Sequence, residues 1–173
     1  TTYCTDLNDM EKHDDLLDKA DSSLGSVDIV LVAHGTLSNQ KACELSVEET
    51  LAEIYTNALS TVSLLTLIAN RFETKRKGTI CVISSVAGDR GRASNYVYGS
   101  AKAMVTVFTS GLRQRVHKSN VAVVTIKPGF VDTPMTSDFK KGFLGAKPSV
   151  VAALILKAID RKEAEVYVPA FWW

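Results

Sequence analysis

Tyr98 and Lys102 stand four residues apart in Tyr98-Gly99-Ser100-Ala101-Lys102. On a helix that spacing puts a phenol and an ammonium on one face, about a turn apart. In water a phenol titrates at about 10, too high for a base at neutral pH. A cation held ~4 Å away at an effective dielectric of ~20 favours the phenolate by on the order of 4 kcal/mol, enough to bring that value toward neutrality. A phenol so tuned exchanges a proton with an alcohol or a carbonyl oxygen. Tyr96 lies six residues from Lys102 and falls on another face. Ser85 stands 13 residues before Tyr98, at the end of an apolar run, where its hydroxyl can donate to the same oxygen. A lone Y-x-x-x-K arises by chance in many helices as an exposed aromatic–cation pair; Ser85 gives this one weight.

These groups need elements to hold them. Short β-rich runs alternate with longer helical ones, the pattern of an α/β fold with a parallel sheet covered by helices. Strands are expected over Val27–Val32, Thr79–Ile83, Val121–Ile126 and Glu165–Val168. Ser46, with Glu49 three residues on, forms a capping box that opens a long helix to Lys77, where Gly78 stops it. Ser94–Lys118 reads as a second long helix, Leu7–Ala20 as a first short one, and Pro148-Ser149 introduces another over Val150–Ile159. Ala33-His34-Gly35, Ser84-Ser85 and Pro128-Gly129 then follow three successive strands. Ligands of open α/β sheets sit outside the carboxyl ends of the strands, so these segments mark one site. Ser84, facing away from Ser85 if the strand continues, reads as structural.

At 173 residues, 46% apolar and 23% charged, the chain is expected to form a single domain over 1–173. A net charge of +1 argues against nucleic acid as a partner, and Lys75-Arg76-Lys77 suits the end of a helix dipole. Cys4, Cys43 and Cys81 are odd in number and widely spaced, which suits a reducing, cytoplasmic compartment. His13, His34 and His117 are scattered too, so no metal site is expected. Neither a signal peptide nor an apolar run of transmembrane length is apparent. The first residue is Thr1, which points to a start that was processed, cut or left out.

With these motifs in order, the sequence resembles the short-chain dehydrogenase/reductase family along its whole length. Ile83-Ser84-Ser85-Val86-Ala87-Gly88 is similar to the family's serine segment, with Ser85 at the expected distance from Tyr98. The resemblance implies a Rossmann-like doubly wound sheet and an oxidoreductase that uses NAD or NADP. Its catalytic set would be Asn57, Ser85, Tyr98 and Lys102, with Asn57 positioning a water in a relay to Lys102. Asp6 and Leu7 resemble the acidic pair that meets the adenine. Pro128, Gly129, Val131 and Thr133 resemble the segment that contacts the nicotinamide carboxamide. Ala33, His34 and Gly35 stand where the family has Asn-Asn-Ala-Gly, so Gly35 would still let the backbone pass close to the adenine ribose. His34 would replace part of the lost asparagine bonding. Tyr98 and Lys102 would also touch the cofactor.

The family opens with a strand and a G-x-x-x-G-x-G turn that binds pyrophosphate, and no such segment occurs in residues 1–173. The resemblance therefore places Thr1 near the third strand, with two strands missing, and leaves Val27–Val32 as an apolar edge prone to pairing. The expectation is a chain that on its own neither folds stably nor turns over substrate. An alternative is a degenerate member serving as a non-catalytic binding or assembly subunit. Met135, Phe139, Phe143 and Leu144 beside Lys140-Lys141 suit a lipophilic, anionic carbonyl or alcohol substrate, or else a solvated lid. The closing Phe171-Trp172-Trp173 suits a membrane interface or the packed end of a strand. The whole ending Val166–Trp173, together with Ala33-His34-Gly35, is similar to a branch of the family that includes reductases of keto sugars on polyprenyl phosphates. Ser38-Asn39-Gln40-Lys41 matches the S-x-x-K of serine acyl hydrolases without that family's companion motifs. The two long helices are those the family uses for a homodimer or homotetramer.

Overall fold

The computed structural model of the protein describes residues 1–136 and 145–172; Phe139, Lys140, Lys141, Phe143, Leu144 and Trp173 lie outside the described residues. Four strands form one sheet: β1 (Ile29–Val32), β2 (Gly78–Ile83), β3 (Val121–Pro128) and β4 (Glu165–Val168). They pair in sequence order and all in parallel. Parallel neighbours need crossovers, and the helices supply them. These are α2 (Gln40–Leu45), α3 (Val47–Ile54) and α4 (Ser60–Lys75) between β1 and β2, α5 (Tyr96–Val116) between β2 and β3, and α6 (Pro148–Arg161) between β3 and β4, while α1 (His13–Leu24) precedes β1.

Side chains alternate across the sheet as the pleat requires. Ile80, Val82, Val121 and Val123 face Leu65, Ile68 and Phe72 of α4 and Val105, Leu112 and Val116 of α5. Cys81, Val124 and Ile126 face Val151, Ala158 and Ile159 of α6. Helices therefore cover both faces, the doubly wound arrangement that the near-continuous apolar strands imply. Arg113 stitches the covering helix to the sheet, donating to the Val123 carbonyl at 2.9 Å and the Thr125 hydroxyl at 3.0 Å.

The long helix expected from Ser46 to Lys77 begins as expected, with the Ser46 hydroxyl accepting from the Glu49 amide at 3.2 Å. It is not uniform. Tyr55–Leu59 forms a π-helical turn between α3 and α4, an extra residue per turn of the kind found at functional sites. It ends at Lys75, with Arg76 in the left-handed conformation, before Gly78. By length and composition, Val47–Lys75 would also span a membrane, against the expectation of no such run. In the fold Ala58, Leu64, Leu65, Ile68 and Ala69 are core residues. The short helix α2 was not expected; Asn39 caps it by accepting from the Lys41 and Ala42 amides.

β1 forms the edge of the sheet, with Ile29 54% and Leu31 47% exposed. A groove of about 570 Å³ runs along it between α1 and α4, lined by Leu16, Leu17, Ile29, Leu31, Leu64 and Ile68 among others. An exposed apolar edge strand is a template for pairing with another chain. Leu31→Lys is expected to reduce concentration-dependent association of residues 1–173 in light scattering. Association as strong as in the parent chain would show that this edge is not the adhesive surface.

Candidate functional site

The helix α5 carries Tyr98 and Lys102, and its approach to the end of β2 is set by glycine. A Cβ on Gly99 would stand 2.7 Å from the Ala87 carbonyl oxygen, so the short 3-10 turn Val86–Gly88 packs directly on the α5 backbone. That turn starts at Ser85, whose hydroxyl accepts from the Ala87 amide at 3.1 Å. Ser85 thereby lies near enough to Tyr98 for its hydroxyl to favour the phenolate. Ser84 points the other way and donates to the Lys102 carbonyl at 3.0 Å, tying the strand tip to α5. Ser85 and Lys102 thus both lie beside Tyr98.

Lys102 is only 4% exposed. Its Nζ lies 5.6 Å from the centroid of the Tyr98 ring and donates to the Ile83 carbonyl at 3.3 Å. Burial lowers its pKa from 10.5 to about 8, against the upward pull of the Glu53 carboxylate. The phenol moves opposite to the sequence expectation. Burial raises the Tyr98 pKa above 10.0, the Glu53 charge adds to the rise, and the Ser85 hydroxyl opposes both. The spacing argument weighed the cation and left out desolvation, and the ammonium sits over the ring face.

Asn57 lies fully buried in the π turn. Its Nδ2 donates to the Thr36 hydroxyl at 3.0 Å and to the Glu53 carbonyl at 3.2 Å, and its Oδ1 accepts from the Thr36 amide at 3.2 Å. Gly35 makes this approach possible: a Cβ there would stand 2.6 Å from Asn57 Oδ1 and 3.4 Å from Lys102 Nζ. The glycine expected to face a cofactor ribose thus also admits Asn57 and Lys102 to the same loop.

The segments carrying Asp6, Leu7, Ala33 and His34 meet on α4. The Leu7 carbonyl accepts from the Ser60 hydroxyl and, at 2.9 Å, from His13 Nε2. Because the single Ser60 proton is spent on Leu7, the bond at 3.0 Å between His34 Nε2 and Ser60 must have histidine as donor. Burial, with the Lys102 and His13 charges behind it, lowers the His34 pKa and favours neutral imidazole. Asp6 is exposed and accepts from the Asn8 amide at 2.9 Å, while Asn8 reaches Thr56 at 3.0 Å. Ala33 and Leu7 line the groove beside β1.

Pro128, Gly129, Val131 and Thr133 follow the tip of β3, whose Ile126 carbonyl accepts from the Ser84 amide at 2.7 Å. The register sets them on the same sheet edge as Ser85. Their bonds are local: Gly129 to the Val168 carbonyl at 3.1 Å, Thr133 to the Val131 carbonyl at 2.9 Å, with Val131 bridged to Ala146. The indole of Trp172 packs against Gly129 and edge-on to Phe130, 5.7 Å between centroids. Trp172 therefore takes the packed-end arrangement, and it covers a face of Gly129 that the resemblance assigned to the carboxamide.

Two buried charges escaped the sequence reading. Lys127, one residue past the expected strand Val121–Ile126, belongs to β3 and holds Asp89 and Glu165 at 2.6 Å each, which raises its pKa and joins the end of the serine segment to β4. Glu53 lies beside Asn57, and its place four residues earlier on the same helix is the signal that could have found it. In the acyl-hydrolase match, Lys41 is exposed and pairs with Glu44 at 2.9 Å, and Ser38 contacts Cys43.

The family model for short chain dehydrogenases matches residues 1–142. The chain belongs to the short-chain dehydrogenase family. It is 35% identical over 164 residues to an uncharacterised oxidoreductase of Mycobacterium tuberculosis, covering 95% of this chain and 66% of the relative. An uncharacterised oxidoreductase of Streptomyces coelicolor is 32% identical over 147 residues, covering 84% of this chain and 57% of its own length. A crystal structure of a short-chain type dehydrogenase/reductase from Mycobacterium marinum superimposes with a TM-score of 0.86 at 18% identity, covering 96% of this chain and 73% of that one. The chain thus spans somewhat under two thirds of the first two relatives.

The residues present fit the sugar side of a nicotinamide dinucleotide. An ammonium has three donors, and among the described residues Lys102 gives one to Ile83. Donors for a ribose diol remain beside the glycine loop.

Lys102 also has a measurable cost. Between about pH 8 and 10.5 the unfolded chain binds more protons at this lysine than the folded one, so its linkage term makes stability rise with pH across that window. The stability of the native protein relative to Lys102→Met is expected to rise by on the order of 3 kcal/mol through it, in urea denaturation at several pH values. A flat difference would show that Lys102 is not held by desolvation.

Proposed function

We propose that this polypeptide contributes the acid–base centre of an NAD- or NADP-dependent oxidoreductase that interconverts a carbonyl and a secondary alcohol. The observation that carries the reading is the convergence of Ser85, Tyr98 and Lys102: a serine hydroxyl near the phenol and a buried ammonium 5.6 Å over its ring. When bound, the dinucleotide supplies or accepts the hydride. Tyr98, kept protonated by burial, gives its proton to the carbonyl oxygen as the carbon is reduced and recovers it in the reverse direction. Ser85 donates to that oxygen and polarises it. Lys102 holds ribose hydroxyls and stabilises the phenolate left behind, and Asn57 fixes a water that returns a proton through Lys102.

Asp6, Leu7, Ala33, His34, Gly35, Pro128, Gly129, Val131 and Thr133 are the residues we assign to the dinucleotide. Residues 1–173 contain no G-x-x-x-G-x-G turn, so we assign the pyrophosphate to none of them and expect no turnover from this segment alone. A cytoplasmic homodimer or homotetramer acting on a lipophilic carbonyl completes the proposal. Val47, Leu51, Tyr55 and Leu59 support the assembly: they are exposed at four-residue spacing, with Met104 and Val107 exposed on α5.

The test uses NADH or NADPH with phenanthrenequinone as carbonyl probe, the complete polypeptide and residues 1–173. Tyr98→Phe is expected to lower kcat of the complete protein by roughly 100- to 10,000-fold with cofactor Kd unchanged. Residues 1–173 alone are expected to consume no cofactor. Turnover that survives Tyr98→Phe, or a complete protein that reduces no carbonyl, contradicts the assignment.

A further inference from the structure

Glu53 is a carboxylate only 3% exposed, in the last turn of α3 and facing the site. Burying a carboxylate is expensive unless its oxygens are satisfied. Both are. Oε2 accepts from the Thr36 hydroxyl at 2.8 Å and Oε1 from the Ser38 amide at 3.2 Å. Thr36 in turn receives Asn57 Nδ2 at 3.0 Å and gives its amide to Asn57 Oδ1 at 3.2 Å. The chain of donors has one direction, from the Asn57 amide through the Thr36 hydroxyl to the Glu53 carboxylate. An acceptor-only group at its end sets every proton in it.

Resting on the proposed function above, we infer that Glu53 is a positioning residue for the reaction: its carboxylate fixes the Gly35–Ser38 loop and the Asn57 amide, which border Lys102 Nζ. The loop is a narrow part. Gly35 sits between His34, which is bonded to Ser60, and Thr36, against Asn57 Oδ1 and Lys102 Nζ. A shift of the loop therefore moves both groups that serve the proton relay. Among the described residues, several groups meet this charge. Tyr98 and Lys102 face it from α5, Thr36 and Ser38 from the loop, and Asn57 from the π turn. The Lys102 ammonium is felt by His34 in turn. Lys102 is the one cation among those facing it.

Glutamine in this place keeps the shape and loses the logic. Its amide nitrogen would meet either the Ser38 N–H, donor against donor, or the Thr36 hydroxyl, whose own proton would then lack an acceptor. Its neutrality also removes the pull that opposes desolvation of Lys102.

The experiment compares Glu53→Gln, Glu53→Asp, Thr36→Ala and Tyr98→Phe in the complete protein, with NAD(P)H and phenanthrenequinone, and follows Lys102 by NMR of 13C-labelled lysine. Glu53→Gln is expected to lower kcat by roughly 10- to 100-fold with a smaller change in KM. The alkaline limb of the rate profile and the Lys102 titration should both move to lower pH. Glu53→Asp should restore part of the titration. Thr36→Ala keeps the charge and cuts the link, so kcat should fall while the limb stays in place. If Glu53→Gln does not fold, Glu53→Asp and Thr36→Ala decide. The inference is overturned if kcat, limb and Lys102 titration all match the parent while Tyr98→Phe is inactive. If Tyr98→Phe is fully active, the proposed function fails and takes this inference with it.

Discussion

An ammonium taken out of water must be compensated or it will discharge, and Lys102 imposes that constraint on everything around it. It sits 4% exposed under the Tyr98 ring, with a backbone carbonyl as its acceptor and the Glu53 carboxylate as its counter-charge. The π turn, the glycine loop and the close seat of α5 on the serine segment are the local irregularities that let these groups meet. Each breaks the regularity of its element. Irregular backbone gathered where polar side chains are buried is the mark of a site, since an element built only for stability would not carry it.

The strands are legible in the sequence because runs such as Thr79–Ile83 and Val121–Ile126 are apolar on both faces, and only a sheet covered on two sides buries them. Glu165–Val168 matches its strand without adjustment. Ser46 shows where its helix starts because capping is a local matter between neighbours. The π turn is not legible, since Tyr-Thr-Asn-Ala-Leu holds ordinary helix residues and the widening is imposed by packing on the Gly35 loop and α5. Nor is α2, at six residues too short for a period to show.

For the site the same divide holds. Spacing along one helix places Tyr98 beside Lys102, and spacing across a strand end places Ser85 near both. Glu53 lies outside that reach because its partners, Thr36 and Ser38, come from a loop 15 to 17 residues earlier. The sign of the Tyr98 shift also lies outside it: a sequence shows which charge is near, whereas burial depends on how the chain closes over the phenol. Family membership supplies order among the motifs, and the structure adds which of them touch.

The central claim is that this buried cluster serves hydride transfer to a carbonyl carbon. The most direct measurement reduces an aryl ketone that cannot aromatise, 2,2,2-trifluoroacetophenone, with the complete protein and a cofactor deuterated at the transferring position of its nicotinamide ring, and reads the product by mass spectrometry and NMR. The account predicts one deuterium on the new carbinol carbon. An alcohol formed without that deuterium would contradict it.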